Sequence, residues 1–268
     1  MLNKGVATFS PRRQNVLQAL VNEYIESAHP VGSKQLVNRY FVDVSSATVR
    51  SELMWLEDRG YVISPHTSAG RIPTNIGYRS FVNSLLLYPG TTQLFSNTQA
   101  QPQIKSLSGA THRTQEFLQP TSRSSHLPNK KDILDDTRSI TDILGFLSDY
   151  VSCLAVAWIP KISSTIYHRG LPMLMMQPEF RTTAAALPLI QLLESQGDLI
   201  SILKDDKNTH GLHIRIGTEH EDSQLFSFSM VASRVVLGEY TGVIALFGPT
   251  RMDYRKAIGA LSAVINNC

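Results

Sequence analysis

A short run of small polar residues around one arginine, residues 45–51, carries the side chains best suited to binding chemistry in this sequence. The Arg50 guanidinium can form two parallel hydrogen bonds with O6 and N7 of guanine, and the Ala47 methyl can contact the methyl group of thymine. The hydroxyl groups of the run can donate to phosphates or bases, helped by the N-terminus of the helix that they begin: Ser45, Ser46, Thr48 and Ser51. The run predicts contact with DNA.

Further candidate contacts lie on both sides of this run. A downstream turn contains His66, Thr67 and Ser68, and Arg71 follows it. His66 and Arg71 can reach the DNA backbone or the minor groove. Upstream, the adjacent Arg12 and Arg13 are candidate phosphate contacts. Each of these residues also has a simpler interpretation that stays open. Arg50 could be an ordinary surface arginine of a helix, His66 could be a turn residue, and Ser45 could serve only as a helix cap.

Three predicted helices surround the candidate residues. Ser10-Pro11 is a typical helix start, because the serine caps the first turn and proline tolerates the first helical position. Apolar residues at helical spacing follow Pro11, and Gly60 is typical of the position directly after the third helix. The predicted helices are Pro11–Ser27, Ser33–Tyr40 with Ser33 as cap, and Ser45 to about Arg59. On the third helix the core side carries Val49, Leu53 and Leu56, and the opposite side carries Ala47, Ser51 and Met54. The outward side is small and polar at its N-terminal end, with Arg50 at its flank.

The segment after the third helix predicts a hairpin. Tyr61-Val62-Ile63 and Arg71-Ile72-Pro73 are short extended pieces around the glycine-containing turn, and Thr74 caps a fourth helix that Pro89-Gly90 ends. Helix, short helix, third helix and hairpin in this order predict a winged helix-turn-helix, in which the third helix enters the major groove. Winged helices also serve as protein-interaction modules, so the order alone leaves that alternative open.

The rest of the chain predicts a linker and an α+β domain. Residues 91–131 are rich in Gln, Ser, Thr and Pro without a sustained apolar period, which indicates a flexible linker. Residues 132–268 mix helical and strand-like patterns and predict a mainly antiparallel sheet. The predicted helices are 131–150, 183–195 and 254–265, and the predicted strands are 153–159, 164–168, 212–216, 225–237 and 242–247. The predicted domains are therefore 1–90, a linker at 91–131, and 132–268.

Charge and cysteine content narrow the classes of function. Residues 1–88 carry 9 Lys and Arg against 6 Asp and Glu, and residues 132–268 carry 11 against 15, so only the front of the chain suits phosphates. Cys153 and Cys268 are too few for a disulfide framework or a cysteine metal knuckle. The longest apolar run near the middle, Cys153–Ile159, is far short of the roughly 20 residues of a membrane helix. Without a signal peptide the expected compartment is the cytoplasm, and no metal or other cofactor is expected.

Several segments together resemble the heat-inducible transcription repressor (HrcA) family. The N-terminal part of the resemblance comprises 30–34, 44–50, 56–57, 60–61, 65–74 and 77–79. The C-terminal part comprises Gln177-Pro178-Glu179-Phe180, Ile214-Arg215-Ile216-Gly217 and Gly248-Pro249-Thr250-Arg251-Met252-Asp253-Tyr254. The strings Pro-His-Thr-Ser-Ala-Gly-Arg and Gly-Pro-Thr-Arg-Met are long and in order, which makes chance agreement very improbable.

The resemblance implies a repressor of chaperone operons with a GAF-like C-terminal domain. Members of the family bind an inverted-repeat operator, called CIRCE, as homodimers, and they depend on the chaperonin for activity, which heat withdraws. One departure stands out. Typical members carry an inserted dimerising domain within the GAF-like part, whereas here residues 155–161 run almost directly into 167–170. The insertion is therefore expected to be missing, which leaves the dimer interface open.

Two other classes of function, and one variant of the first, stay in competition. A GAF-type domain could sense a small ligand, although the sequence has no phosphate-binding glycine loop and His210 and His213 lack a third metal ligand. A weakened paralogue with altered dimerisation is the variant. An enzyme is disfavoured, because no Ser-His-Asp or Cys-His arrangement is evident and no catalytic residue is expected.

Overall fold

The fold is described here from a computed structural model, and the described residues are 10–41, 43–66, 69–87, 136–160, 162, 166–204, 211–237 and 240–267. The predicted linker at 91–131, two of the candidate contacts, Thr67 and Ser68, and the terminal Cys268 lie outside them. We refer to residues 10–87 as the N-terminal unit and to residues 136–267 as the C-terminal unit, with the gaps just given.

The N-terminal unit consists of four helices and one small antiparallel sheet. The helices are α1 (Pro11–Ser27), α2 (Ser33–Tyr40), α3 (Ser46–Asp58) and α4 (Asn75–Leu87), and the strands are β1 (Val62–Ile63) and β2 (Ile72–Pro73). Its core is formed by the apolar stripes of the helices, with Leu20, Leu36 and Leu56 fully buried between α1, α2 and α3. Burial of these stripes is the main force that assembles short helices.

Local capping chemistry sets the helix bounds. The Ser10 side chain accepts a hydrogen bond from the backbone N–H of Arg13, and α1 ends at a left-handed Ala28, in agreement with the predicted bounds. The Ser45 hydroxyl accepts from the backbone N–H of Thr48 and begins α3, and Gly60 at φ +74° follows its end. The prediction that Ser33 caps α2 was wrong, because Gly32 is the N-cap and makes no side-chain hydrogen bond.

A buried carboxylate joins α1 to α2. Glu23 is 5% exposed, and its oxygens accept hydrogen bonds from Gln35 (2.6 Å), Arg39 (2.6 Å) and the Tyr40 hydroxyl (3.2 Å). Burial raises the pKa of Tyr40 to about 12, so the phenol keeps the proton that it donates. Glu23 therefore fixes the position of α2, whose first turn borders the candidate interface.

We expect Glu23→Gln to lower the unfolding free energy by about 1–2 kcal/mol, because charge-assisted hydrogen bonds become neutral ones while one accepting oxygen remains. The matched control is Glu26→Gln. Glu26 is largely exposed and pairs with the same Arg39, so it should change stability by less than about 0.5 kcal/mol. Urea unfolding followed by circular dichroism measures both, and equal losses would contradict the role of Glu23.

The C-terminal unit is an antiparallel sheet with helices on both faces. The helices are α5 (Asp136–Val151), α6 (Leu171–Met175), α7 (Thr183–Glu194), α8 (Gln196–Lys204) and α9 (Tyr254–Asn267). The strands are β3 (Leu154–Trp158), β4 (Tyr167–Arg169), β5 (Leu212–Ile216), β6 (Phe228–Leu237) and β7 (Tyr240–Pro249). They are ordered β4-β3-β7-β6-β5, and every described neighbour pair is antiparallel. The prediction of an α+β protein with a mainly antiparallel sheet is confirmed.

Alternating residues assign the two faces of this sheet. Ala155, Val231 and Leu246 face α5 and α9 in a cluster that continues into the N-terminal unit, whereas Val156 and Phe247 face α6, α7 and α8. Some predicted bounds were wrong. The strand predicted from Ser164 is β4 and begins at Tyr167, the strand predicted from 225 begins at Phe228, and α8 was not predicted at all. None of the described helices is both long and apolar enough to cross a membrane.

Candidate nucleic-acid interface

The first turns of α3 present a small, polar and exposed surface. Ala47, Arg50 and Ser51 are exposed, whereas Val49 and Leu53 face the core, as the helical period predicts. The Ser51 hydroxyl donates to the carbonyl of Ala47 at 3.2 Å, which keeps that hydroxyl close to the helix surface. The outward side chains of the first turn are small, and the exposed Met54 follows one turn after Arg50, so a groove wall could approach the backbone at the start of α3 closely.

A hydrogen bond between two hydroxyl groups joins the first turn of α2 to the first turn of α3. The Ser46 hydroxyl lies 3.1 Å from the Ser33 hydroxyl, and the Ser45 hydroxyl lies 2.8 Å from that of Thr48. The two helix N-termini are thereby held side by side. Both carry unpaired backbone N–H groups and the positive end of a helix dipole, which together favour an anionic group such as a phosphate.

Basic side chains border a cleft of about 300 Å³ between these N-termini and the hairpin. Arg50 and Lys34 are exposed, and neither side chain has an ion pair or hydrogen bond with another described residue. The sequence analysis did not name Lys34 as a candidate contact, and it assigned Ser33 only the role of a helix cap. The signal that could have identified both residues is the polar first turn of α2, where a hydroxyl and a lysine directly follow Gly32. The first turn of α3 is polar in the same way.

Two of the predicted DNA contacts form ion pairs within the protein. The Arg71 Nε donates to Glu57 on α3 at 2.9 Å, and its Nη1 reaches the Ser64 hydroxyl at 3.3 Å. Arg13 pairs with Glu52 on α3 at 2.8 Å, and its guanidinium lies 4.1 Å from the centre of the Trp55 ring. The structure gives Arg71 and Arg13 the role of holding α3, and their contact with DNA stays a prediction.

The remaining candidates lie at the edges of the surface. His66 is exposed at the tip of the hairpin, and its carbonyl accepts from the Ser64 hydroxyl at 2.8 Å and from the Ala69 N–H at 2.9 Å. Arg12 is exposed at the first turn of α1. Among the described residues, no group of three His, Cys, Asp or Glu side chains lies close enough together to hold a metal ion.

Comparison with known proteins decides the family. A family model described as the HrcA protein C terminal domain matches residues 106–258, more than half of the chain. A protein named heat-inducible transcription repressor HrcA from Synechococcus sp. (strain RCC307) is 31% identical over 319 residues, which covers 94% of this chain and 96% of the relative. The chain belongs to the HrcA family. A second relative of the same name, from Desulforamulus reducens, is 28% identical over 329 residues and covers 96% and 95% of the two chains.

A solved structure supports the fold of this HrcA family member. A crystal structure described only as that of a hypothetical protein superposes with a TM-score of 0.68 at 17% identity, and the match covers 96% of this chain and 97% of that one. The HrcA family match begins inside the segment predicted as a linker and contains the three C-terminal strings noted in the sequence. The resemblance first seen in those strings is thereby confirmed.

Proposed function

We propose that the chain is a transcription repressor that binds an inverted-repeat operator of the CIRCE type as a homodimer. The observation that carries this proposal is the exposed, small and polar face of α3, with the unpaired Arg50 at its flank and Lys34 across the cleft. A helix of this surface fits the major groove, where Arg50 can read guanine. Family membership supplies the supporting argument, because the relatives are named heat-inducible transcription repressors.

In this proposal the N-terminal unit is a winged helix-turn-helix. The order α1, α2, α3, then the β1–β2 hairpin, matches that architecture, with the hairpin as the wing. Residues 1–90 would form the DNA-binding domain, 91–131 a linker and 132–268 a GAF-like domain for regulation and dimerisation. The net positive charge of the first 88 residues and the negative charge of residues 132–268 agree with this division.

The lengths of the aligned relatives support a missing insertion. The alignment with the Synechococcus protein spans 319 positions, but 94% of this 268-residue chain is only about 252 residues, so about 67 positions lack a counterpart here. We place the gap between β3 and β4, where residues 159–166 connect two paired strands directly. A dimer of this chain would therefore use its GAF-like part, without an inserted dimerising domain.

Regulation by chaperonin and heat completes the proposal and rests on the family alone. The relatives are named heat-inducible. The dependence on chaperonin is what the resemblance to the family implies. We also propose the cytoplasm as its compartment, because the proposed DNA target lies there. We assign it no catalytic activity, in line with relatives named as repressors.

A reporter assay tests repression directly. A reporter gene placed behind a CIRCE-type inverted repeat should be repressed when the chain is expressed in a host that lacks its own such repressor, and repression should fall during heat shock. The matched control is a reporter with a scrambled operator of the same composition. Equal expression from both reporters, with the protein present and folded, would refute operator-specific repression.

Lys34 should act as a phosphate contact of this interface. We expect Lys34→Gln to weaken binding to operator and scrambled DNA alike, by a few-fold, because a phosphate contact carries no sequence information. The slope of log affinity against log salt should fall in magnitude by about 1. Fluorescence anisotropy titrations at three salt concentrations measure both quantities, and a loss confined to the operator would instead make Lys34 a base contact.

A second candidate, a ligand-responsive regulator, is favoured by one cleft in the C-terminal unit. This cleft of about 850 Å³ lies between α7, α8 and the β5–β6 connection, and buried His220 lines it. Neither ring nitrogen of His220 makes a well-formed hydrogen bond within the described residues. Burial lowers the pKa of His220 to about 4, and the nearby Arg215 also lowers it, so the ring is neutral at pH 7.

Thermal-shift screening separates the two candidates. A nucleotide or metabolite that raises the melting temperature of the native chain, but not that of His220→Ala, would support ligand sensing. Absence of any hit across common nucleotides and metabolites would remove this candidate and leave the operator-binding proposal unaffected.

A further inference from the structure

The C-terminal strings of the chain meet the N-terminal unit at one interface. Arg251 is 8% exposed, and its guanidinium donates to Glu179 (2.6 and 3.1 Å), to the Gln177 side chain (3.0 Å) and to the carbonyl of Ile25 in the last turn of α1 (2.5 Å). The last carbonyls of a helix lack intrahelical donors and carry the negative end of the dipole, so a cation is favoured there. Arg251 thus ties α1 to the C-terminal unit.

Contacts from α4 hold the same interface at a second place. Arg79 pairs with Glu219 and donates to the carbonyl of Ile214 at 2.7 Å. Asn75 packs directly on Gly217, where a Cβ would lie only 2.3 Å from the Asn75 amide nitrogen. The two anchor points, one on α1 and one on α4, resist tilting of the N-terminal unit better than either anchor alone.

An aromatic contact fills the space between the anchors. The rings of Tyr78 on α4 and Tyr254 on α9 lie 5.8 Å apart and are almost fully buried. The Tyr254 hydroxyl lies 2.7 Å from the Ser229 hydroxyl and donates to the carbonyl of Thr250 at 2.7 Å, which fixes the ring from the C-terminal side. The interface is therefore packed and specific.

A rigid path leads from Arg251 to the DNA-contacting surface. The Arg13–Glu52 pair clamps the first turn of α1 to α3, and the opposite end of α1 accepts the Arg251 hydrogen bond. The 17 residues of α1 span about 25 Å. A tilt of about 10° would move the far end of such a helix by about 4 Å, more than the 3.4 Å rise of one base pair.

We propose that Arg251 is a positioning residue for operator recognition. Through α1, Arg251 sets the orientation of α3 relative to the C-terminal unit. This inference rests on the proposed function, in which the C-terminal units of two copies dimerise. The separation and angle of the two α3 helices then depend on how each N-terminal unit is docked. Arg251 touches no DNA in this arrangement and acts through α1.

Binding to a whole operator and to its isolated half-site separates positioning from folding. For Arg251→Gln we expect half-site affinity within about twofold of the native chain, because α3 itself is unchanged. Affinity for the inverted repeat should fall at least about tenfold, because the two N-terminal units of a dimer can no longer bind both half-sites at once and the gain from avidity is lost. The variant should also lose the preference of the native chain for the natural half-site spacing over spacings lengthened or shortened by a few base pairs.

Controls keep this experiment decisive. Arg234→Gln removes an exposed arginine of β6 and should match the native chain in every titration. If Arg251→Gln does not fold, Arg79→Gln loosens the second anchor and should show the same split between half-site and repeat. Unchanged or tighter binding of the inverted repeat with the natural spacing preference would overturn the inference. A native chain that does not prefer the repeat to scrambled DNA would instead overturn the proposed function.

Discussion

Replacing Arg50 by alanine should weaken binding to the operator by about 1–3 kcal/mol, or roughly 5- to 150-fold, because one bidentate contact with guanine is lost. Arg50 is exposed on α3, and no described residue pairs with it, so the substitution breaks no internal contact. Affinity for scrambled DNA should fall only a few-fold through the lost charge. Anisotropy titrations of both DNAs, repeated with base substitutions in each half-site, measure the discrimination.

The matched control for this prediction is Arg234→Ala, which removes the same charge from an exposed position of β6 in the C-terminal unit. Operator and scrambled DNA should each bind Arg234→Ala as they bind the native chain. If Arg50→Ala loses affinity for both DNAs equally, Arg50 is a phosphate contact and not a base reader. If it loses affinity for neither, α3 does not read the operator.

Much of the candidate surface could be predicted from sequence because its determinants are local. The Ser10-Pro11 start, the Ser45 cap and Gly60 lie within a few residues of the helix ends that they define. The exposed side of α3 follows from its 3.6-residue period, which separates Arg50 from Val49 and Leu53. The prediction of α2 was slightly wrong at its start, because glycine and serine both suit an N-cap and the pattern does not separate them.

The partners of charged side chains could not be predicted in the same way. The sequence predicts Arg13 as a phosphate contact and Arg71 as a contact of the DNA backbone or minor groove. In the structure each pairs at 2.8 Å with a glutamate of α3, Arg13 with Glu52 and Arg71 with Glu57. The contact of Arg251 with Ile25 joins residues 226 positions apart. Such pairs depend on how elements pack in three dimensions, which no short-range periodicity encodes.

The helix α8 was missed for a related reason. It follows α7 after the single residue Ser195, so no loop composition separates the two helices. Its buried residues, Leu199 and Leu203, are spaced by four, but nine residues are too few for a distinct helical period. Leu199 and Leu203 pack into the core on the face of the sheet that carries α6, α7 and α8. This packing, and not local preference, makes the segment a separate helix.

Replacing Gly70 by alanine should lower the unfolding free energy by about 2–4 kcal/mol, the largest stability effect that we expect near the interface. A Cβ at Gly70 would lie 2.4 Å from the carbonyl carbon and 2.6 Å from the nitrogen of Val31. These are backbone atoms, so no side chain can rotate away. The backbone at Gly70 and the backbone at Val31 must therefore move apart. The paired hydrogen bonds between Val31 and Arg71, at 2.9 and 2.8 Å, must then stretch or break.

Loss of this contact would also displace the hairpin from the cleft beside α2 and α3. We therefore expect Gly70→Ala to bind the operator more weakly even at temperatures where it is folded. The control is Gly145→Ala, since Gly145 lies within α5 with open space around its Cβ position. Alanine there should be neutral or stabilising by up to about 1 kcal/mol. A urea midpoint of Gly70→Ala equal to that of the native chain would show that the hairpin is not held by this contact.

Recognition of an inverted repeat by two copies of this chain, each reading one half-site through α3, is tested most directly by native mass spectrometry of the chain with operator DNA. We predict complexes of two chains on one intact repeat, and of two chains with one or two copies of the isolated half-site, all of which persist when a large excess of scrambled competitor DNA is added. Complexes of variable stoichiometry that the scrambled competitor removes as readily from the repeat as from any other DNA would contradict this recognition.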